Sequence, residues 1–361
     1  MKIKIVLYNF VIFIFLFLIF DFLFSNLYLN KLNTSCYHIE EDYYELKKNC
    51  KGREQFKPSF PTVDINTNEF GHRISDIKNS DQTKKSKVFI FGDSFTYGLG
   101  VDYEDSFMGI IEKKQSNYDF YNFAVPSYSP TVHLYKFKQA IKENFTPDRV
   151  IVFLDLTDIF DEGSRWNIKD DDQKPYLVYD EFKEKNFDKK FTHKNFKFSK
   201  AIISNLNFNM RKIRQKINIK FKKNYNKVKT SFQASFTYKD INELNNSFWS
   251  EKVFNKGISK IENNIKEISN ICKEKNIKFD LVIFPWAETL VYGQKSFNWE
   301  AFGEKICDKS KCNFINTFPF FEQIKKENKF WANDLYFVND QHFNKNGNKV
   351  LADILIDQLF F

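Results

Sequence analysis

Glycine and proline are scarce in this chain of 361 residues, at 11 and 8, and methionine occurs three times. Cysteine is limited to five residues with no C-x-x-C pair, so the spacing that builds a structural zinc site is missing. No internal repeat is present. The N-terminal apolar stretch leaves through FDFLFSNLYLN, which has no small-residue cleavage site and argues against a removable signal peptide. Acidic residues are absent between Lys189 and Lys229, against fourteen Lys and Arg. The formal charge of +9 is therefore local to one segment, and the rest of the chain is net negative. Only five histidines are available to serve as a general base: His38, His72, His133, His193 and His342.

What is present is a chain 42% apolar and 28% charged, long enough for one large domain plus an extra segment. Its 44 Phe and 17 Tyr carry no functional weight by themselves. Ile5 to Phe24 is apolar except for Tyr8, Asn9 and Asp21, about the length of a membrane-spanning helix, with Lys2 and Lys4 on its N-terminal side. The expectation is an uncleaved single-pass anchor over residues 1–30, membrane contact through 5–24, a cytoplasmic N-terminus and the remainder outside the cytoplasm. Residues 31–85 read as a stalk and N-terminal extension. In an exported domain Cys36–Cys50 and Cys307–Cys312 are the natural local disulfides, with Cys272 single; reduced thiols are the alternative. INTNEFGHR at 65–73 reads as an ordinary surface turn around Gly71.

From residue 86 onward apolar runs alternate with helical spacing. Strands are predicted at Val88–Phe91, Tyr118–Val125, Arg149–Leu156, Phe279–Phe284 and Cys312–Thr317. Helices are predicted at Ser106–Lys114, Val132–Asn144, Phe248–Asn276, Phe318–Lys326 and Lys349–Leu359. The pattern predicts an α/β fold, a three-layer α/β/α sandwich on a mainly parallel sheet. A basic insert at about 163–247 interrupts it. Within the insert, Phe198–Phe221 has the spacing of a basic amphipathic helix, suited to anionic lipid or polymer at 189–229 or to capping the main domain.

Two short motifs carry chemistry. Gly92-Asp93-Ser94-Phe95 follows the first buried strand, which puts a hydroxyl at the carboxyl edge of the sheet. Asp340 stands two residues before His342, a spacing that lets a carboxylate orient an imidazole. GDSF at Gly92–Phe95 with DQHFNKNGN at Asp340–Asn348 resembles the SGNH/GDSL hydrolase superfamily. NFAVPSYSP at Asn122–Pro130, VIVFLDLTDIFDE at Val150–Glu162 and VIFPWAE at Val282–Glu288 are similar to a membrane-anchored bacterial branch of it, and NTNEFGHR resembles a segment that precedes the catalytic core in exported members.

The resemblance implies a flavodoxin-like catalytic domain over 86–361, with Ser94 as nucleophile, His342 as base and Asp340 as the orienting carboxylate. It implies an oxyanion hole from the backbone N–H of Ser94, from Ser127 where the family has Gly, and from Thr157 where it has Asn. Asp93, Asp158 and Trp286 are expected to line the site. Ionised, Asp155 or Asp158 would repel an oxyanion; the plainer expectation is that Asp155, Asp158 and Asp161 cap the following helix or pair with Arg73 or Arg165. The implied activity is a serine esterase acting on an O-acyl, chiefly O-acetyl, ester of a cell-envelope glycan or lipid. An O-acyltransferase using the same residues and a non-catalytic glycan-binding protein are the alternatives. No metal, no organic cofactor and no nucleic-acid partner are expected.

Overall fold

The computed structural model describes residues 2–29, 36–39, 43–57, 60–75, 85–171, 173–178, 251–338 and 340–360, with Phe196, Ser199 and Tyr238. The chain forms two compact units: Met1–Ser35 with Gly52–Thr62 and Tyr179–Val228, and Cys36–Lys51 with Val63–Val178 and Lys229–Phe361. The amphipathic helix predicted at Phe198–Phe221 lies outside the described residues.

In the first unit, helix α1 (Lys2–Phe24) runs on into a looser turn at Ser25–Leu29. Lys4–Leu27 is long and apolar enough to cross a membrane. Asp21 is its one buried acid. Its carboxylate accepts the Ser25 hydroxyl at 2.8 Å and the Ser199 N–H at 2.9 Å.

The second unit is built on five parallel strands: β1 (Ser86–Phe91), β2 (Tyr118–Asn122), β3 (Arg149–Leu154), β4 (Lys278–Ile283) and β5 (Asn313–Asn316). Their order across the sheet is β2-β1-β3-β4-β5, the flavodoxin-like order. Val88–Phe91 and Val150–Leu154 are buried throughout, as strands covered on both faces must be. Helices α3 (Pro130–Lys142), α4 (Glu251–Glu274) and α5 (Trp299–Ser310) pack together, and α2 (Phe107–Lys114) packs on α6 (Lys345–Phe360). The fold is thus the expected three-layer α/β sandwich. Ser106 caps α2 by accepting the Gly109 N–H, and Asn348 from α6 accepts the Phe107 N–H at 3.0 Å.

Several predicted strands run past their observed ends, each for a visible reason. Asn122 Oδ1 takes the Ala124 N–H at 3.0 Å, and Asn122 Nδ2 donates to the Thr96 carbonyl, so β2 stops at Asn122. Asp155 Oδ1 takes the Thr157 N–H at 2.7 Å and ends β3 at Leu154. Trp166–Ile168 pairs antiparallel with Pro175–Leu177. Trp166 is fully buried in a smaller apolar cluster with Tyr44, Leu46, Val63, Ile65, Tyr97 and Tyr128. Cys36–Cys50 and Cys307–Cys312 are both bonded. Cys272 is buried, which pushes its thiol up to about 12.

The segment read as an ordinary surface turn is not one. Gly71 does turn the chain, at φ +83°, but Arg73 is 1% exposed. Its guanidinium donates to the carbonyls of Tyr97, Gly98 and Val101 at 2.7–2.8 Å and lies over the Tyr97 ring. Arg73 therefore pairs with none of the aspartates; it clamps the turn that follows Ser94.

Candidate active site

Every predicted site residue other than the Asp340–His342 pair sits in a loop leaving the carboxyl end of a strand. Asp93 and Ser94 follow β1, Ser127 follows β2, Thr157 and Asp158 follow β3, and Trp286 follows β4. The strand order reverses between β1 and β3, where open α/β sheets present a crevice.

Ser94 opens a single helical turn, Ser94–Tyr97, capped by Asp93, whose Oδ1 accepts the Phe95 N–H at 3.0 Å. At Gly92 a Cβ would stand 2.2 Å from Thr96 Oγ1, so the turn closes tightly only without a side chain there. His342 and Asp340 lie in a loop tied at both ends. Phe337 N–H donates to the His342 carbonyl, Asp340 N–H donates to the Phe337 carbonyl, and the Asn344 side chain bonds the Tyr336 carbonyl. Gly347 lets α6 approach this loop, since a Cβ would meet the Leu335 carbonyl oxygen at 2.0 Å.

The loop brings His342 Nε2 to 2.8 Å from Ser94 Oγ and His342 Nδ1 to 2.5 Å from Asp340 Oδ1. The residues are 248 apart in sequence. Asp340 Oδ1 also accepts the His342 backbone N–H at 3.1 Å, which fixes the carboxylate against the ring. A neutral imidazole that donates Nδ1–H to Asp340 presents Nε2 as the acceptor for the serine hydroxyl. Asp340 and His342 are each 4% exposed, while Ser94 is only half-buried. The Phe95 ring stacks on the imidazole at 4.6 Å and packs on Phe284 and Phe343, which holds the ring in plane.

Ser127 adopts φ +63°, the left-handed conformation natural to glycine. Its carbonyl accepts Trp166 Nε1 at 2.8 Å, and the preceding Pro126 carbonyl accepts the Tyr44 hydroxyl at 2.6 Å. Glu162 grips the same loop from below. Its carboxylate accepts the Ser129 and Thr131 hydroxyls and the Thr131 N–H at 2.5–2.6 Å, with Lys260 at 3.2 Å. The N–H groups of Ser94 and Ser127 donate to no group among the described residues. Glu162 and Phe95 lie within the motifs quoted from the sequence, which gave neither of them a role.

Thr157 Oγ1 lies between two carboxyl groups. It contacts Asp155 Oδ1 closely and Asp93 Oδ2 at 3.4 Å. Asp93 Oδ2 also lies 3.1 Å from Ser94 Oγ, whose one hydrogen is directed at His342 Nε2. Trp286 Nε1 donates to Asp155 Oδ2 at 3.3 Å, and Asp158 Oδ2 accepts the Asp155 N–H at 2.9 Å. Burial and the neighbouring Asp93 push the Asp155 carboxyl well up; burial and Asp155 do the same to Asp158. Burial lifts Asp161 to about 8 against the opposing pull of Arg165, 3.3 Å away. Thus Asp155 does cap the following turn and Asp161 does pair with Arg165. Of the predicted lining residues, Asp93 touches Ser94, Trp286 reaches Asp155, and Asp158 braces the backbone behind it. His72 and His133 are not part of this line: His133 Nε2 bonds the Gly92 carbonyl at 3.2 Å, and burial holds each of the two at about 3. Among the described residues no cluster able to hold a metal ion occurs.

No protein-family model matches the chain, and no curated protein matches it. Among solved structures it is similar to an acetyl xylan esterase, at 12% identity over 76% of this chain and 99% of that one, TM-score 0.42. It is similar to a member of the lipolytic G-D-S-L family from Veillonella parvula, at 10% identity over 76% and 98%, TM-score 0.41. A third is the psychrotrophic esterase EstA from Pseudoalteromonas sp., at 12% identity over 76% and 97%, TM-score 0.39. Likeness of this degree leaves the chemistry to the side chains of this chain.

Proposed function

We propose that the chain is a serine esterase of the SGNH/GDSL type, anchored in a membrane by α1, with its catalytic unit outside the cytoplasm. The observation that carries the reading is the continuous line Asp340 Oδ1, His342 Nδ1, His342 Nε2, Ser94 Oγ, with links of 2.5 and 2.8 Å. In it Ser94 Oγ attacks an ester carbonyl while His342 Nε2 takes its proton, and Asp340 stabilises the resulting imidazolium. The alcohol leaves with that proton, and the acyl group stays on Ser94. Water then enters, gives its proton to His342 and releases the acid. The N–H groups of Ser94 and Ser127 are the donors for the tetrahedral oxyanion. The substrate is an O-acyl, chiefly O-acetyl, ester on an envelope glycan or lipid. The half-buried serine supports a polymer or interface substrate over a small enclosed one. Two disulfides support an oxidising compartment. The basic segment 189–229 supplies contact with anionic lipid or polymer.

The test is fluorophosphonate labelling of the full chain in detergent, beside release of acetate from an aryl acetate and transfer to a sugar acceptor. Labelling at Ser94 that vanishes in Ser94→Ala, with acetate set free, is the expected result. Acyl found on the sugar instead means a transferase. A folded wild type that neither labels nor turns over is a binding protein.

A further inference from the structure

Thr157 Oγ1 stands between the carboxyl groups of Asp93 and Asp155 beside the nucleophile, and its single hydrogen cannot serve two ionised carboxylates at once. They come from different strands, β1 and β3, and are 4% and 2% exposed. Thr157 Oγ1 bridges them, and Asp93 Oδ2 is 3.1 Å from Ser94 Oγ. The groups facing the pair are few. Asp158 and Asp161 stand on the same β3 loop and add negative charge; Trp286 Nε1 comes from the β4 loop; His342 faces the far side through Ser94. Arg165 reaches Asp161 only, and among the described residues no Lys or Arg forms an ion pair with Asp93, Asp155 or Asp158.

Resting on the esterase reading, we propose that Asp93 and Asp155 share one proton and that this keeps a second negative charge away from the reacting centre. Asp155 is then a positioning residue acting through Asp93. With the proton on Asp155 Oδ1, that hydroxyl donates to Thr157 Oγ1 while its oxygen accepts the Thr157 N–H, Thr157 Oγ1 donates to Asp93 Oδ2, and Asp93 Oδ1 takes the Phe95 N–H that opens the nucleophile's helical turn. The pair carries one charge, as close carboxyl dyads do. When the proton is lost, a second carboxylate faces the place where the oxyanion grows, and Thr157 is drawn between two anions. Burial and Asp93 both hold the proton on Asp155, so it is lost only as pH rises.

The experiment is a pH profile of kcat for aryl acetate hydrolysis by the full chain in detergent, for wild type, Asp155→Asn and Asp155→Ala. Wild type is expected to lose activity about tenfold per pH unit once the pair ionises. Asp155→Asn keeps a neutral donor next to Asp93, so its alkaline side is expected to be flat, with activity well above that of Asp155→Ala. Tryptophan fluorescence checks that each variant is folded, and the alanine variant supplies a second test of the limb if the asparagine variant is not. An alkaline limb that persists in a folded variant, or a wild type with no limb, overturns the proposal. Infrared difference spectra of wild type against Asp155→Asn need no turnover, and a protonated-carboxyl band unique to wild type is expected. A missing band with intact turnover overturns the pair alone. A missing label and absent turnover overturn the esterase reading, and the band then reports separately whether the pair holds its proton.

Discussion

Two groups of buried acid meet at Ser94, and they are built in opposite ways. On the C-terminal side the Asp340 carboxylate is set against the His342 imidazole and accepts the His342 backbone N–H. On the β3 side Asp93, Asp155, Asp158 and Asp161 crowd together with one half-exposed arginine among them. The first arrangement balances charge and leaves Nε2 a defined task. The second crowds acid together with little to balance it, and burial raises Asp155, Asp158 and Asp161, so these three hold their protons more tightly. A carboxylate that orients a base must be charged, whereas carboxyl groups beside an oxyanion site serve best uncharged.

The largest expected effects break the first group. Ser94→Ala and His342→Ala each lower kcat by at least about 10⁴-fold, and Asp340→Asn, which keeps the shape and removes the charge, falls by about the same factor. Stopped assays on aryl acetate check this, with unfolding curves confirming that the variants remain folded. An Asp340→Asn enzyme within tenfold of wild type would mean that the carboxylate does not serve the base.

Next comes the clamp that the two groups share. Arg73 satisfies three carbonyls of the turn between Ser94 and Val101. Arg73→Ala leaves the Tyr97 and Val101 carbonyls without that donor and Gly98 with the Val101 N–H alone, at a cost of about 4 kcal/mol in stability. Urea midpoints measure it. Lys in the same place can satisfy some of the three but lacks the planar fork, so Arg73→Lys falls between.

Much of this was legible before the fold was known, for physical reasons. Strands β1 and β3 are short apolar runs bounded by charge, and burial on both faces leaves them no other composition. GDSF and D-x-H were readable because a nucleophile and an oriented base need those residue types at those spacings. Arg73 was not readable: nothing in INTNEFGHR says that its charge meets carbonyls of a turn some 25 residues on, at Gly98. The Asp93–Asp155 approach was hidden for the same reason. It arises from the register of β1 on β3, Phe91 beside Val152, and the sequence shows only that both acids follow strands. Read as fixed charges, the β3 aspartates looked hostile to an oxyanion; burial changes their ionisation, and burial is a property of the fold.

The smallest expected effect separates the two groups by pH. Asp161 titrates near 8 in the folded chain and about 3.9 when unfolded. Between those values the folded state holds the extra proton, so its contribution to stability is complete below about pH 4 and is lost as pH rises through 8. Asp161→Asn removes that loss, and after giving up the Arg165 pair it is expected to gain about 2 kcal/mol at neutral pH. His72 and His133 slope the other way. Both sit near 3 when folded, so their contribution is present above about pH 6.5 and lost as pH falls toward 3. Wild type should therefore be most stable at mildly acidic pH, between the two slopes. In Asp161→Asn the acid side is unchanged and the maximum moves upward, though Asp155 and Asp158 keep part of the alkaline slope. Urea midpoints at pH 4, 6 and 8 separate the cases. A variant whose midpoint still falls from pH 6 to 8 as steeply as wild type would show that Asp161 is already ionised and that Arg165 balances it, which would make this acid resemble Asp340 more than its neighbours.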